Sequence, residues 1–218
     1  MKKITIASLF AFAVCFGFGC ENANKPEDSV EQAEEMNETR MDSMENQAGA
    51  TNDTTDAEDQ AEFMVDAASS GMMEVALGNM AAKQAQNAEV KAFAKMMVEH
   101  HTKGNEEMKA QAAAKNVTLP ERVGNDHQKH IDKLADLRGA EFDREYMNIM
   151  VEAHEDDVED FKEGSQENEY DAETKALITK TLPMLEQHLQ QAKQLRDKVS
   201  GNNTSTSTTT TKTTETAR

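Results

Sequence analysis

The chain has 218 residues, of which 37% are hydrophobic and 5% aromatic, and it carries a formal net charge of −18 at pH 7. This charge excludes nucleic acid as a partner, because the phosphate backbone binds basic surfaces. The sequence is rich in Ala, Glu, Lys, Gln and Met, which are strong helix formers. No stretch alternates between apolar and polar residues for long enough to predict a strand, so we expect an all-α fold.

The N-terminus has the pattern of an export signal. Two lysines precede an uncharged apolar run, Ile4 to Phe18, which is too short to span a bilayer comfortably. A glycine and Cys20 follow, and the pattern resembles a lipoprotein signal peptide, in which residues 1–19 are removed and Cys20 is lipidated. Gly17 stands where the usual lipobox has Leu. An ordinary secretory signal and a retained anchor are the alternatives.

Two segments are expected to be disordered. Residues 21–60 contain thirteen Asp or Glu against one Lys and one Arg, and too few large apolar residues to offset the entropy of ordering. With the lipidated cysteine, residues 20–60 are therefore predicted to be an acidic tether. Residues 200–218 form a Thr-rich, low-complexity tail. The folded domain is thus predicted to cover residues 61–199.

Four long helical patterns and one short pattern fill this domain. The first long helix carries apolar or small residues at alternating spacings of three and four, from Phe63 to Ala81. The second follows Asn87 and is closed by Asn116. A short helix is predicted from Asp126 to Leu137, with a stop at Gly139.

The last two long helices complete the domain. The third carries its apolar stripe from Phe142 onward and ends at Gly164. The fourth follows Asp171, a favourable N-cap residue, and contains Pro183, which predicts a kink because proline removes one backbone donor. Tight first and last turns join these helices in two hairpins. The pattern therefore predicts an up-down-up-down four-helix bundle with a short extra helix between its second and third helices.

Each long helix places one metal-capable side chain in its apolar stripe. These four residues are Glu74, His101, His154 and His188. Counted from the connecting turns, each pair lies within about one helical turn of the same height, at roughly 1.5 Å rise per residue. Three imidazoles and one carboxylate suit Fe, Zn, Mn or Cu. The pattern predicts a metal site in the middle of the bundle, with a metal-free polar cluster and chance facing as the alternatives.

Three stretches carry a resemblance to a known family. They are SGMMEVALGNMAAKQAQNAEVKAFAKMMVEHHTKGNEEM, FDREYMNIMVEAHEDDVEDF and LPMLEQHLQQAKQL, and they lie within residues 60–196. In order, spacing and histidine positions they resemble the bacterial domain-of-unknown-function 4142 family. The resemblance implies a ferritin-like bundle, an outer-membrane location and the Glu and three His named above as site residues, but no activity. His100 stands where the family commonly has Asp.

The ferritin-like resemblance does not extend to a di-iron centre. Such a centre needs a Glu-x-x-His pair on two helices and a Glu on each of the other two. The residues three before the site histidines are Val98, Val151 and Leu185. The bridging carboxylates are missing, so we expect a single metal ion.

Other candidate ligands have simpler interpretations. Met97, Met150 and Met184 each lie four residues before a site histidine, which is compatible with copper, although methionine at helical spacing usually fills a core. The histidines of the short helix are His127 and His130. We expect both to be solvated, and we expect the acidic run 155–160 to be an exposed face.

The predicted function follows from these features. The chain contains no nucleophile–base set, no phosphate-cradling Gly loop and no zinc-protease motif, so hydrolase and kinase functions have no support, and whether the chain is an enzyme stays open. We expect a cell-envelope lipoprotein that binds one transition-metal ion and serves in metal or stress handling. The alternative is a non-catalytic envelope interaction module whose Glu/His cluster is a metal-free polar core.

Three Asp-Ser or Asp-Thr pairs in the predicted tether resemble O-glycosylation acceptor sites. The acceptors would be Ser29, Ser43 and Thr54. An extended, solvated chain is open to a transferase, and a glycan there would clash with no core. Acidic linkers also produce such pairs by chance, which is the alternative.

The lipid anchor has a direct test. Cys20→Ser should release the protein from membranes, because the acyl chains supply the attachment. Immunoblotting of the membrane and soluble fractions of cells that express the wild type or the variant measures the change. A variant with a cleaved signal that still sediments with membranes would contradict the lipid anchor.

Overall fold

The computed structural model describes residues 27–48 and 53–201, and all regular secondary structure in these two ranges is helical. The helices, numbered in chain order, are α1 (Ser29–Ala48), α2 (Asp53–Gln84), α3 (Ala88–Lys115), α4 (Asn125–Ala135), α5 (Gly139–Gln166) and α6 (Ala172–Val199). The predicted all-α class is therefore confirmed. The predicted signal peptide, Cys20 and residues 202–218 of the Thr-rich tail lie outside the described residues. Within the described ranges, no helix combines the length and the apolar character that a bilayer crossing requires.

Polar residues end the long helices where the sequence predicted. The Asn87 side chain accepts hydrogen bonds from two backbone N–H groups in the first turn of α3, at 2.8 and 3.3 Å. Asn116 ends α3 with a left-handed backbone, at φ 58°. The Asp171 side chain caps α6 by accepting a backbone hydrogen bond at 2.8 Å. The bounds of α3 and the start of α6 are therefore confirmed.

Glycine and proline mark two further positions. Gly139, the first residue of α5, has φ +62°, a backbone conformation that would strain any L side chain. The chain changes direction here between α4 and α5. α4 ends at Ala135 instead of the predicted Leu137, a difference within the usual fraying of helix ends. Pro183 lies inside α6, and the kink there stays a prediction.

The prediction of a disordered tether is wrong for residues 29–48, which form α1 and pack on α2, and for residues 53–60, which form the start of α2. The buried side chains of α1 recur every four residues. They are Ser29, Ala33, Asn37 and Met41. The prediction weighed the acidic charge and the scarcity of large apolar residues, and so it missed a narrow stripe in which polar and small side chains are buried.

Hydrogen bonds to the loop between α3 and α4 hold α1 in place. Asn37 Nδ2 donates to the Thr118 carbonyl at 2.9 Å, and Asn37 Oδ1 accepts from Thr118 N at 2.7 Å. Arg40 donates to Thr118 Oγ1 at 2.8 Å and also to the Asn116 carbonyl. These partners are 76 to 81 residues apart along the chain, so sequence periodicity could not reveal them.

Ser29 is buried against the same loop, which contradicts its predicted role as a glycosylation acceptor. Its side chain is 5% exposed, and its Oγ accepts hydrogen bonds from Glu121 N at 3.0 Å and Arg122 N at 3.3 Å. A glycan on this buried oxygen would have to displace the loop that covers it. Ser43 is exposed and stays a prediction, and the side chain of Thr54 lies outside the described residues.

The bundle has apolar clusters on both sides of a central polar layer. The cluster on one side contains, among others, Leu77, Phe93, Met97, Phe142 and Tyr146. The clusters on the other side contain, among others, Met64, Met108, Phe161 and Ile178. On each of α2, α3, α5 and α6, the predicted site residue lies between these two sets. The polar layer is therefore enclosed by apolar packing.

A close approach of α2 and α3 brings the first two site residues together. A Cβ at Gly78 would lie 2.8 Å from Val98 Cγ2 and 3.1 Å from the Ala94 carbonyl oxygen, so the helices can pack this closely only at glycine. Gly78 lies one helical turn after Glu74, and Val98 lies one turn before His101.

Removal of the Asn37 side chain should destabilise the docked α1. Asn37→Ala leaves the N–H and the C=O of Thr118 without their partners, so we expect the free energy of unfolding to fall by about 1–3 kcal/mol. Chemical denaturation followed by circular dichroism measures the change. Asn79→Ala on exposed α2 surface is the matched control, because its amide bonds only the Val75 carbonyl of its own helix. Equal stability of the two variants would contradict the docking of α1.

Candidate metal centre

Four buried side chains meet in the central polar layer. Glu74 comes from α2, His101 from α3, His154 from α5 and His188 from α6, and each is at most 6% exposed. The centroids of the three imidazole rings are 5.3 to 5.4 Å apart in every pair, so the rings form a nearly equilateral triangle. The four residues that the sequence predicted are therefore brought together.

Two of the histidines direct Nδ1 to oxygen atoms that lie outside this triangle. His101 Nδ1 lies 2.5 Å from Glu74 Oε2, and His154 Nδ1 lies 2.9 Å from the Met150 carbonyl oxygen. Both oxygens accept, so both rings carry a proton on Nδ1 and, when neutral, a lone pair on Nε2. His101 Nε2 is buried and has no hydrogen-bond partner among the described residues.

The third histidine is held by a neighbour on α3. His188 Nε2 lies 2.8 Å from His100 Nδ1, and the two rings stack with their centroids 5.1 Å apart. This contact leaves His188 Nδ1 for the triangle, where it lies 3.3 Å from His154 Nε2. The sequence prediction did not include His100 in the site, although its departure from the family pattern marked the position.

The spacing of the remaining ring nitrogens fits a transition-metal ion. His101, His154 and His188 each offer one ligand nitrogen, and these atoms lie within 4.8 Å of one another. At a metal–nitrogen distance of about 2.1 Å, two tetrahedral ligands are roughly 3.4 Å apart. The distance of 3.3 Å between His154 Nε2 and His188 Nδ1 is close to that value. Ligating histidines also bond an outer partner through their other nitrogen, and all three rings have one.

Glu74 holds His101 from outside the group of three nitrogens. Its Oε2 contacts His101, and its Oε1 lies 3.0 Å from His154 Nδ1. Because that Nδ1 directs its proton to the Met150 carbonyl, Glu74 Oε1 accepts no hydrogen bond. The structure therefore distinguishes three converging imidazoles from a carboxylate that orients one of them.

Burial and mutual contact set the charges of this layer. Burial raises the pKa of the Glu74 carboxyl, but the three neighbouring histidines outweigh it and hold that pKa below its usual range. Burial lowers the pKa of His154, with Glu74 opposing. Burial, reinforced by His101 and His154, lowers the pKa of His188 to about 3. An ionised carboxylate thus lies beside His154 and His188 in their neutral form, the form in which histidine binds metals.

Asp157 is a buried carboxylate that the sequence prediction missed. It is 8% exposed, and its Oδ1 accepts a hydrogen bond from Ser70 Oγ at 2.7 Å. It also groups with Glu74 and His154, with ligand atoms within 4.8 Å of one another. Burial and then Glu74 raise its pKa well above the usual range. The prediction that the run 155–160 is exposed is wrong here, and the spacing of three from His154 was the available signal.

The other candidate ligands lie outside the group of three histidines. His127, predicted to be solvated, is half-buried on α4 with Nδ1 2.7 Å from Ser69 Oγ. Met97 and Met150 are fully buried in an apolar cluster, which agrees with core filling. Met184 lines a cavity beside the centre.

This cavity has a volume of about 50 Å³. Its lining includes the polar residues Glu74, His100 and His101 and the apolar residues Phe161 and Met184. One water needs roughly 10–15 Å³ on the same measure, so the cavity accommodates water or a similarly small molecule. Of the three converging histidines only His101 is among the described residues that line it, so a small molecule in the cavity would lie on the His101 side of the centre.

The stability of the metal-free protein should depend on pH through His188. Its folded pKa of about 3 lies below its ordinary 6.5, so between these values the unfolded chain binds a proton that the folded state does not. Stability should thus fall as the pH falls through this window. In chelator-treated protein, His188→Gln should reduce the slope by about 1.4 kcal/mol per pH unit. Denaturation at several pH values measures both slopes, and identical slopes would contradict a buried neutral His188.

Comparison with known proteins places the chain in a family. No curated protein and no solved structure matches it. The family model described as Domain of unknown function (DUF4142) matches residues 31–195. The matched range begins within α1 and ends within α6, so it includes the four site residues and Asp157. The chain belongs to the DUF4142 family, as the resemblance of its three longest matching stretches predicted.

Proposed function

We propose that this protein binds a single transition-metal ion through His101, His154 and His188, in the cell envelope, as part of metal or stress handling. One observation carries the proposal: three buried ring nitrogens converge while the other nitrogen of each ring has an outer partner. The lone pair of His101 Nε2, buried without a partner, gains one when a cation binds.

The surrounding residues have separate roles in this proposal. Glu74 orients His101, and its negative charge offsets part of the charge of a buried cation. His100 orients His188 in the same manner. Imidazole donors suit Zn, Cu and Fe. The bound ion would supply Lewis acidity, and with Fe or Cu also redox chemistry, next to the small cavity.

We also infer an up-down-down-up order for α2, α3, α5 and α6, which differs from the predicted up-down-up-down order and agrees with a ferritin-like bundle that has one long crossover connection. Ion pairs link Glu89 with Lys198 and Glu107 with Lys180, so residue numbers rise along α3 as they fall along α6. Contacts between α2 and α3, between α2 and α5 and between α5 and α6 follow the same opposite order. These contacts support antiparallel neighbours around the bundle.

The envelope location is a proposal from the sequence. The N-terminal pattern that ends at Cys20 supports a lipid anchor, and the family resemblance implies the outer membrane. α1 begins at Ser29 and is bonded to the bundle, so residues 21–28 are the whole link between anchor and domain. At about 3.6 Å per residue this link spans at most roughly 30 Å. It would keep the domain close to the membrane surface.

A metal-free polar core is the second candidate, and one observation favours it. A hydrogen-bond chain can run from His100 to His188, from His188 Nδ1 to His154 Nε2, and from His154 Nδ1 to the Met150 carbonyl. The protein would then be an envelope interaction module whose polar core specifies the bundle. The chain leaves His101 Nε2 without a partner, which is why we favour the metal.

Metal binding tests the first candidate. Metal-free protein dialysed against Fe, Zn, Mn or Cu should retain about one ion per chain and melt at a higher temperature, because only the folded state assembles the ligands. His101→Ala, His154→Ala and His188→Ala should each abolish retention, and Glu74→Gln should weaken affinity by about 10- to 100-fold. Elemental analysis and calorimetry measure these effects. No retained metal and no melting shift with any of the four would contradict the proposal.

Position 100 separates the two candidates. With metal bound, His188 Nε2 donates to position 100, so His100→Asp should retain metal and His100→Leu should lose affinity. The metal-free chain instead needs a donor at position 100, which an ionised Asp lacks. If the core is metal-free, His100→Asp would therefore lower the free energy of unfolding, and neither this variant nor the wild type would retain metal. His127→Ala, outside the group of three histidines, is the control that should retain metal.

A further inference from the structure

An acidic trough lies along the surface between α2 and α5. It consists of two adjoining depressions of about 280 and 270 Å³, which share the lining residues Asp66, Asp157 and Asp160. Glu152 and Asp156 line the second depression. No Lys or Arg is among the described residues that line either one. The trough therefore concentrates negative charge, and the potentially basic residues of its walls are His127 and His130 in the second depression.

The carboxylates of the acidic trough repel one another. Burial, Glu62 and Asp160 raise the pKa of Asp66, and burial, Asp156 and Glu163 raise the pKa of Asp160. Asp66 and Asp160 are nevertheless exposed, so a hydrated cation can reach them. A cation in the trough would relieve this repulsion, and the field would raise the local cation concentration.

Asp157 connects the acidic trough to the candidate metal centre. It is 8% exposed, yet it lines both depressions and also the cavity beside the histidines. It groups with Glu74 and His154, with ligand atoms within 4.8 Å of one another. Glu74 is 1% exposed, and its Oε1 accepts no hydrogen bond. An ion that leaves the trough thus meets Asp157, then an unpartnered carboxylate oxygen, and then the imidazoles.

We infer that the acidic trough is the entry route for a hydrated divalent transition-metal ion, and that Asp157 is the ligand that transfers the ion to the histidines. The inference rests on the proposed function, because the route ends at the three imidazoles. The hydrogen bond from Ser70 keeps the Asp157 side chain in place. Borderline metal ions prefer imidazole to carboxylate ligands, so transfer from Asp157 to the histidines is downhill.

Loading kinetics test the route. Metal-free full-length protein is mixed with Zn²⁺ and, in a parallel series, with Cu²⁺, and an indicator reports free metal in stopped flow. The double variant Asp66→Asn, Asp160→Asn should load roughly tenfold more slowly at low ionic strength, as electrostatic steering predicts. The difference should shrink in high salt, which screens exposed charges. Asp157→Asn keeps an oxygen for Ser70 and should load slowly in low and high salt alike.

A control variant with the same change in charge, and the amount of metal bound at equilibrium, distinguish failure of the route from failure of the metal site. Glu106→Gln with Glu141→Gln removes two exposed charges outside the trough and should load at the wild-type rate. Slow loading by the trough variants with wild-type capacity supports the route. If the trough variants load metal as fast as the control variant, or if they bind less metal at equilibrium than the wild type, the route is overturned and the proposed function stands. A wild-type protein that retains neither metal would overturn both.

Discussion

A buried carboxylate dominates the organisation of this bundle. Glu74 is 1% exposed, and an ion in such surroundings costs on the order of several kcal/mol unless other groups compensate it. His101 compensates it by direct contact through Nδ1, and His154 Nδ1 lies 3.0 Å from its other oxygen. Because these residues come from four helices, Glu74 meets the three histidines only when α2, α3, α5 and α6 share one register.

The apolar clusters on both sides of the polar layer set the protonation states of two of its histidines. They bury the polar layer, and burial favours the neutral forms of His154 and His188, whose lone pairs remain available. The metal-bound and metal-free interpretations then differ mainly in where the protons of His188 and His100 lie. In the first, His188 donates to His100, and in the second the donation is reversed. The same side-chain positions are compatible with both, which is why the choice depends on a substitution at position 100.

The excess acidic residues of this chain lie in two different structural settings. On α1 they accompany a narrow buried stripe, in which Asn37 and Ser29 use hydrogen bonds where a more apolar helix would use packing. Between α2 and α5 they form the acidic trough, whose inner end is the buried Asp157. A composition that suggests only solubility therefore conceals both a docked helix and a charged approach to the polar layer.

The sequence by itself determined the long helices and the four residues of the polar layer. Spacings of three and four report which helix face is buried, and caps such as Asn87 and Asp171 find their partners within one turn. Only the tertiary structure decided that α1 is docked, since Asn37 bonds a residue 81 positions away. It also decided that Asp157 is buried and that Glu74 orients His101, because these depend on which atoms of neighbouring helices face each other. No pattern along a single helix encodes that relation.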